Sequence, residues 1–309
     1  MWHIRRCVLA GVLAVASSAS PAQNQSATLL DDAIHQCELL SKQPAGAQDG
    51  VNWLRLATLY QLADRYHRAE HAYDRAIRLL GTHDLPAAAA ATDRLGSLYA
   101  QEGKLKKAEE IELSALQIRE ATRDLLGVGL IWMNLAMISL GQHHLGDASM
   151  YAEWAVDRLV PAANPQNSEV TIDQQMTALI YFAEVRSAQG DSHAAILALH
   201  RARQAGEAKY PPSSFPMAYV DFLLGYTQWK SGNVELAAPL MKTGLEGIQP
   251  VLGWGHPTYL KLMKQYADFL NQTGRRAEAA MVRKEMARVS ETGRAGMTGQ
   301  TSAMLAFAP

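Results

Sequence analysis

A chain of 309 residues with 48% apolar side chains has ample material for a continuous core, and 29 basic against 30 acidic residues leave a formal net charge of -1. No basic excess points to a nucleic-acid partner, and no acidic tail is present. Aromatics are only 7% while alanine is abundant, a balance that suits closely packed helices.

The first 22 residues stand apart. Trp2-His-Ile-Arg-Arg6 makes a positive start, Cys7 to Ala16 an apolar run, and Ser20-Pro21-Ala22 a small-residue exit. This is the anatomy of a secretory signal peptide cleaved after Ala22, with retention as an uncleaved anchor the alternative. The apolar run is about half the length that a membrane-spanning helix needs, so no stable span is expected after cleavage. Arginines, not small apolar residues, precede Cys7, which argues against lipid attachment there. Cleavage would leave Cys37 as the lone thiol, unable to form an internal disulfide. The leader alone therefore predicts export, to a bacterial periplasm or out of the cell.

Residues 23–49 read as a flexible terminus and a capping helix. Leu30, Ile34, Cys37 and Leu40 predict a helix over Thr28–Lys42, with Thr28 as N-cap, and Pro44 to Gly50 break the pattern. Residues 50–288 then repeat one helix–turn–helix unit. Trp53, Leu56, Ala57 and Tyr60 lie on one helical face, and Tyr66, Ala69, Tyr73 and Ala76 mark the partner helix. The clearest unit carries Leu95, Gly96, Tyr99, Gly103, Leu105, Ala108 and Ala115. Four further units centre on Leu135, Leu179, Leu224 and Tyr266. Taking Asp64, Gly103, His143, Gly190, Gly232 and Gly274 as turn residues, the steps are 39, 40, 47, 42 and 42 residues. The long step holds Pro161 to Asn167, a polar connection. Residues 289–309 turn to Gly, Thr, Ser and Gln and are expected to be disordered.

These units resemble the tetratricopeptide repeat (TPR) family. The step near 42, the Asn134-Leu135-Ala136 triplet, the run Ala115 to Glu120 and the connection Leu252-Gly-Trp-Gly-His-Pro257 resemble its kinesin-light-chain-like long-step subclass. Asp64 and His143 depart from the pattern where a turn glycine is expected, and Ser139 where an aromatic is. The resemblance implies an all-α, right-handed alpha-solenoid of about six helix pairs. First helices would line a concave groove, and function would be partner binding without catalysis.

Helical angles identify candidate contacts. Tyr219, Phe222, Tyr226 and Trp229 form one stripe opposite Leu224, so their helix has two apolar faces. The stripe reads either as an aromatic wall for a peptide or apolar ligand, or as packing against neighbouring helices. Met133 and Met137 hold equivalent positions in the third unit. By the resemblance, Asn134 is a candidate for holding a ligand backbone; a hydrogen bond within the repeat is the alternative. At the corresponding places the sixth unit has Lys261, Lys264, Asp268 and Asn271, which suits a segment with an acidic terminus. No Gly-x-Ser-x-Gly, phosphate-cradling loop, HExxH or cysteine-pair motif occurs, so no catalytic residues, cofactor or metal are assigned. His143 and His144 with Asp147 read as solvated turn residues. The expected function is an exported scaffold for a protein or peptide partner. A small-molecule or lipid carrier using the same groove, and a structural self-assembling solenoid, are the competing readings.

Overall fold

The computed structural model describes residues 23–40, 47–81, 83–160 and 170–297. The leader, the Pro161–Asn167 connection and residues 298–309 lie outside the described residues. Thirteen α-helices and no strand occur among the described residues: α1 (Gln23–Leu40), α2 (Ala47–Leu62), α3 (Tyr66–Leu80), α4 (Leu85–Gln101), α5 (Leu105–Ala121), α6 (Leu125–Gly141), α7 (Leu145–Leu159), α8 (Ile172–Ala188), α9 (Ser192–Glu207), α10 (Phe215–Lys230), α11 (Val234–Leu252), α12 (Pro257–Gln272) and α13 (Arg276–Met297). From α2 onward, α2–α3, α4–α5, α6–α7, α10–α11 and α12–α13 pack as pairs, and α8 and α9 are joined by the turn at Gly190. Three edges differ from the sequence reading. The first helix starts at Gln23, so Thr28 is not its N-cap; α2 takes in Asp49 and Gly50; and α13 runs on to Met297.

Two compact units divide the chain, with the boundary between Gln174 and Gln175. In the first, α1 to α6 each pack on the next helix, and the first helices of successive pairs also touch, α2 on α4 and α4 on α6. In the second, α9 through α13 pack in the same sequential way, with α10 also touching α12. Each helix pair leaves an apolar face that only its neighbour can cover, which is why the units stack.

The spacing of small residues sets how close the helices come. Ala69, Ala72 and Ala76 on α3, Ala108 and Ala115 on α5, Ala148 and Ala155 on α7, and Ala195 and Ala202 on α9 are fully or almost fully buried. Large side chains fill the space between them: Leu56, Tyr73, Leu98, Ile131 and Leu135 in the first unit, Phe215, Phe222 and Phe269 in the second. Each buried leucine or phenylalanine contributes about 1.5–3 kcal/mol relative to exposure.

The turns share one geometry. The residue at Asp64, Gly103, Arg123, His143, Gly190, Gly232 and Gly274 has a left-handed backbone, with φ from 55° to 93°. Its N–H bonds back three residues and the next N–H bonds back five, as in Arg65 to Tyr60 (2.8 Å) and Lys104 to Tyr99 (2.9 Å). This is the Schellman ending, which satisfies the last helical carbonyls. The six turn residues read from the sequence are all left-handed; Arg123, between pairs, is a seventh. Helix starts are tied by Asp84, Asp124 and Asp191, whose carboxylates accept from the N–H of Ala87, Gly127 and Ala194 at 2.8–3.0 Å.

Candidate functional site

On α10 the aromatic stripe divides into a buried half and a surface half. Phe222 is fully buried and Tyr219 is 3% exposed, its ring stacked on Phe215 at 6.2 Å. The cause is backbone approach. A Cβ on Gly244 of α11 would stand 2.7 Å from the Ala218 carbonyl and from the Cβ of Phe222, so glycine there brings α11 onto this face. Tyr219 and Phe222 are thus core residues, not an open wall. Tyr226 and Trp229 stay half-buried. Their rings meet edge-on at 5.6 Å, and Trp229 meets Phe269 of α12 edge-on at 5.7 Å. The exposed Lys230 places Nζ 4.0 Å from the Trp229 ring centre and 5.5 Å from that of Tyr226. No carboxylate pairs with Lys230 among the described residues. The outcome is an aromatic shelf with a cation above it.

In the first unit Met133 and Met137 are each 5% exposed, buried within a helix almost wholly enclosed from Gly127 to Leu140. They serve as packing, so their candidacy as surface contacts is corrected as well. Asn134 is half-buried, and its amide works inside the repeat array. Nδ2 donates to Asp93 Oδ1 on α4 at 2.9 Å and to Glu112 Oε1 on α5 at 3.2 Å. The sequence left both roles open for Asn134; the hydrogen bond within the array is the one present here.

Around Asn134 lies a charged network that the sequence reading missed. Glu112 is fully buried, and its second oxygen, Oε2, has no partner. Arg119 is buried beside it, with Nη2 3.7 Å from Asp93 Oδ2 and Nη1 bonded to Asp124. Two carboxylates therefore share one guanidinium, with the Glu112 carboxyl buried beside them. Burial, then the neighbouring Asp93, pushes the Glu112 carboxyl well above its ordinary range. Burial also raises Asp93, opposed by Arg119. A trace of this existed in the sequence. Glu112 and Arg119 fall on the same α5 face as Ala108 and Ala115, the face that turned out to be buried.

His143 and His144 are exposed, His143 at the left-handed turn position. Among the described residues no three His, Cys, Asp or Glu side chains are grouped to hold a metal ion, and no helix is long and apolar enough to cross a membrane.

No family model matches the sequence, and no curated protein matches it. Solved structures do. The apo form of RapI superposes with a TM-score of 0.68 at 12% identity, over 86% of this chain and 93% of that one. BtubC (BKLC) from P. vanneervenii gives 0.59 at 17% identity, over 74% and 91%. NprR, in complex with its cognate peptide NprX, gives 0.57 at 12% identity, over 93% and 78%. At such identities the likeness is one of fold: the chain has the all-helical repeat fold of TPR-like proteins.

Proposed function

We propose that this chain is an exported helical-repeat scaffold that binds a peptide or an extended protein segment. The observation that carries the reading is the shelf of Tyr226 and Trp229 with Lys230 above it. Half-buried aromatic rings beside an unpaired cation can seat an apolar partner side chain next to a carboxylate. The fold shared with NprR, solved with its peptide, supports a peptide as the class of partner. Tyr219 and Phe222 hold the shelf in place from inside, and Met133, Met137 and Asn134 support the first unit. The leader at residues 1–22 supports export to the periplasm or beyond.

Affinity capture from the envelope fraction of the exporting cell tests the binding claim. Trp229→Ala is expected to weaken capture of the retained partner about 30-fold, as loss of an aromatic anchor worth about 2 kcal/mol does. The helical circular dichroism should be unchanged. Unaltered capture together with a lowered melting temperature would show that Trp229 is packing alone, and the shelf would lose its role. Deleting residues 2–22 should retain the protein in the cytoplasmic fraction; unchanged fractionation would remove the export claim.

A further inference from the structure

A cavity of about 300 Å³ opens in the first unit where α6 and α7 lie side by side, lined among the described residues by Trp132, Trp154, Asp157 and Arg158. The two indoles have centroids 5.4 Å apart and are tilted by 53°, so they form a wedge. Tyr151 braces Trp154 edge-on at 5.8 Å. Trp132 and Tyr151 rest on the buried cluster of Ala115, Ile131 and Leu135, which fixes the wedge from below. Trp154 is nevertheless 42% exposed, an unusual position for an indole.

The charges at its edge are as informative as the rings. Among the described residues, neither Asp157 nor Arg158 has a hydrogen bond or ion pair. Gly129 provides the space for Arg158: a Cβ there would stand 2.7 Å from Arg158 Cγ, so the arginine stem lies flat against α6. An indole face carries the negative lobe of the ring quadrupole and attracts cations, most strongly where water is displaced. Asp157 adds to that attraction. Arg158 opposes a bare cation but favours a carboxylate, which its planar fork can hold. Aromatic faces flanked by one free charge of each sign complement a molecule carrying both.

We propose that this cleft binds a small zwitterion, an ammonium carboxylate whose nitrogen sits on the Trp132–Trp154 wedge beside Asp157 and whose carboxylate meets Arg158. A quaternary nitrogen fits best, because its methyl groups cover the indole faces and shed water at little cost. None of the residues of the peptide shelf takes part, so this site stands or falls separately from it.

The test is an NMR titration of the full chain labelled with nitrogen-15 tryptophan, following the indole N–H signals. Glycine betaine is the probe; choline and propionate are the single-charge controls. Saturable shifts of the Trp132 and Trp154 signals are expected, with a dissociation constant on the order of 0.1–1 mM. Each control should bind at least about tenfold more weakly, the effect of losing one charge-assisted contact. Asp157→Asn and Arg158→Gln, the latter keeping the stem that lies on α6, should each weaken betaine about tenfold, and Arg158→Gln should erase the preference for betaine over choline. Absence of a saturable shift overturns the proposal. So does choline binding as tightly as betaine, or betaine binding that persists in Trp154→Ala with its circular dichroism intact. If Trp154→Ala does not fold, the Asp157 and Arg158 variants decide.

Discussion

The two units close the same turn with different residues. The first unit has four left-handed Schellman positions, Asp64, Gly103, Arg123 and His143, and only one is glycine. The second has three, Gly190, Gly232 and Gly274, and all are glycine. Their interiors differ in the same sense. The first unit encloses Asp93, Glu112, Asn134 and Arg119, while α10 of the second is enclosed by aromatics and by contacts onto Gly225 and Gly244. Helix pairing thus imposes the turn geometry whether or not the local residue favours it. The first unit tolerates backbone strain at its turns that the second avoids, and it buries a larger charged network than the Arg203–Asp221 pair of the second.

The sharpest way to break that contrast is to remove the shared cation. Arg119→Ala leaves Asp93 and Asp124 without their common partner, and the loss should be about 3 kcal/mol in urea unfolding. A loss under about 1 kcal/mol would mean that the network is fully wet and contributes no more than a surface pair. In the second unit the corresponding weakness is steric. Gly244→Ala puts a methyl group against the Ala218 carbonyl and the backbone N of Phe222, neither of which can swing aside. A loss of about 2 kcal/mol is expected, with the near-ultraviolet dichroism of the aromatics changed. Gly96→Ala in the first unit has the Glu112 side chain as its nearest obstacle, so a smaller loss there would show that a side chain yields where backbone does not.

The buried carboxyl adds a pH signature peculiar to the first unit. Burial and Asp93 raise Glu112 in the folded chain above the ordinary glutamate value of 4.5, so the folded state prefers its protonated form. Its stabilising share is complete below pH 4.5 and is lost as pH climbs through the raised value. Glu112→Gln keeps the neutral shape. It should therefore melt higher than the parent at neutral and alkaline pH, with the difference closing toward pH 4.5. A difference that does not vary with pH would show that folding leaves the Glu112 carboxyl unshifted.

These contrasts mark what the sequence made legible. Period, pair count and turn positions came through because each depends on residue size at fixed spacing: Leu95, Gly96, Tyr99, Ala108 and Ala115 specify a packing face by themselves. Even the irregular turns at Asp64 and His143 were found, from their place in the period. The division of the α10 stripe was not legible. Whether Phe222 faces a groove or a neighbour depends on Gly244, which is distant in sequence and becomes informative only once α11 lies against α10. The Asp93–Glu112–Arg119 network was hidden for a related reason: Asp93 comes from α4 to meet Glu112 and Arg119 of α5, and charged residues on a helix are ordinarily solvated. Arg123 escaped because it closes a connection between pairs, where the repeat pattern makes no demand for glycine.

Arg123 supplies the smallest and cleanest test. Its φ of 57° is left-handed, yet among the described residues the exposed side chain has no hydrogen bond or ion pair that offsets the strain. Asp64, by comparison, accepts a 2.7 Å hydrogen bond from the Tyr66 hydroxyl. A non-glycine residue in this conformation costs about 1–2 kcal/mol, and glycine returns part of that gain through a more flexible unfolded chain. Arg123→Gly should stabilise the chain by about 0.5–1 kcal/mol, raising the urea midpoint with no change in slope. Gly190→Ala in the second unit should cost a similar amount, because the space around it is empty and backbone strain alone is added. The pair separates the two explanations of the first unit's turns. If Arg123→Gly instead destabilises, the arginine is holding Asp124 in position for Arg119, and strain at this turn belongs to the network rather than to the backbone.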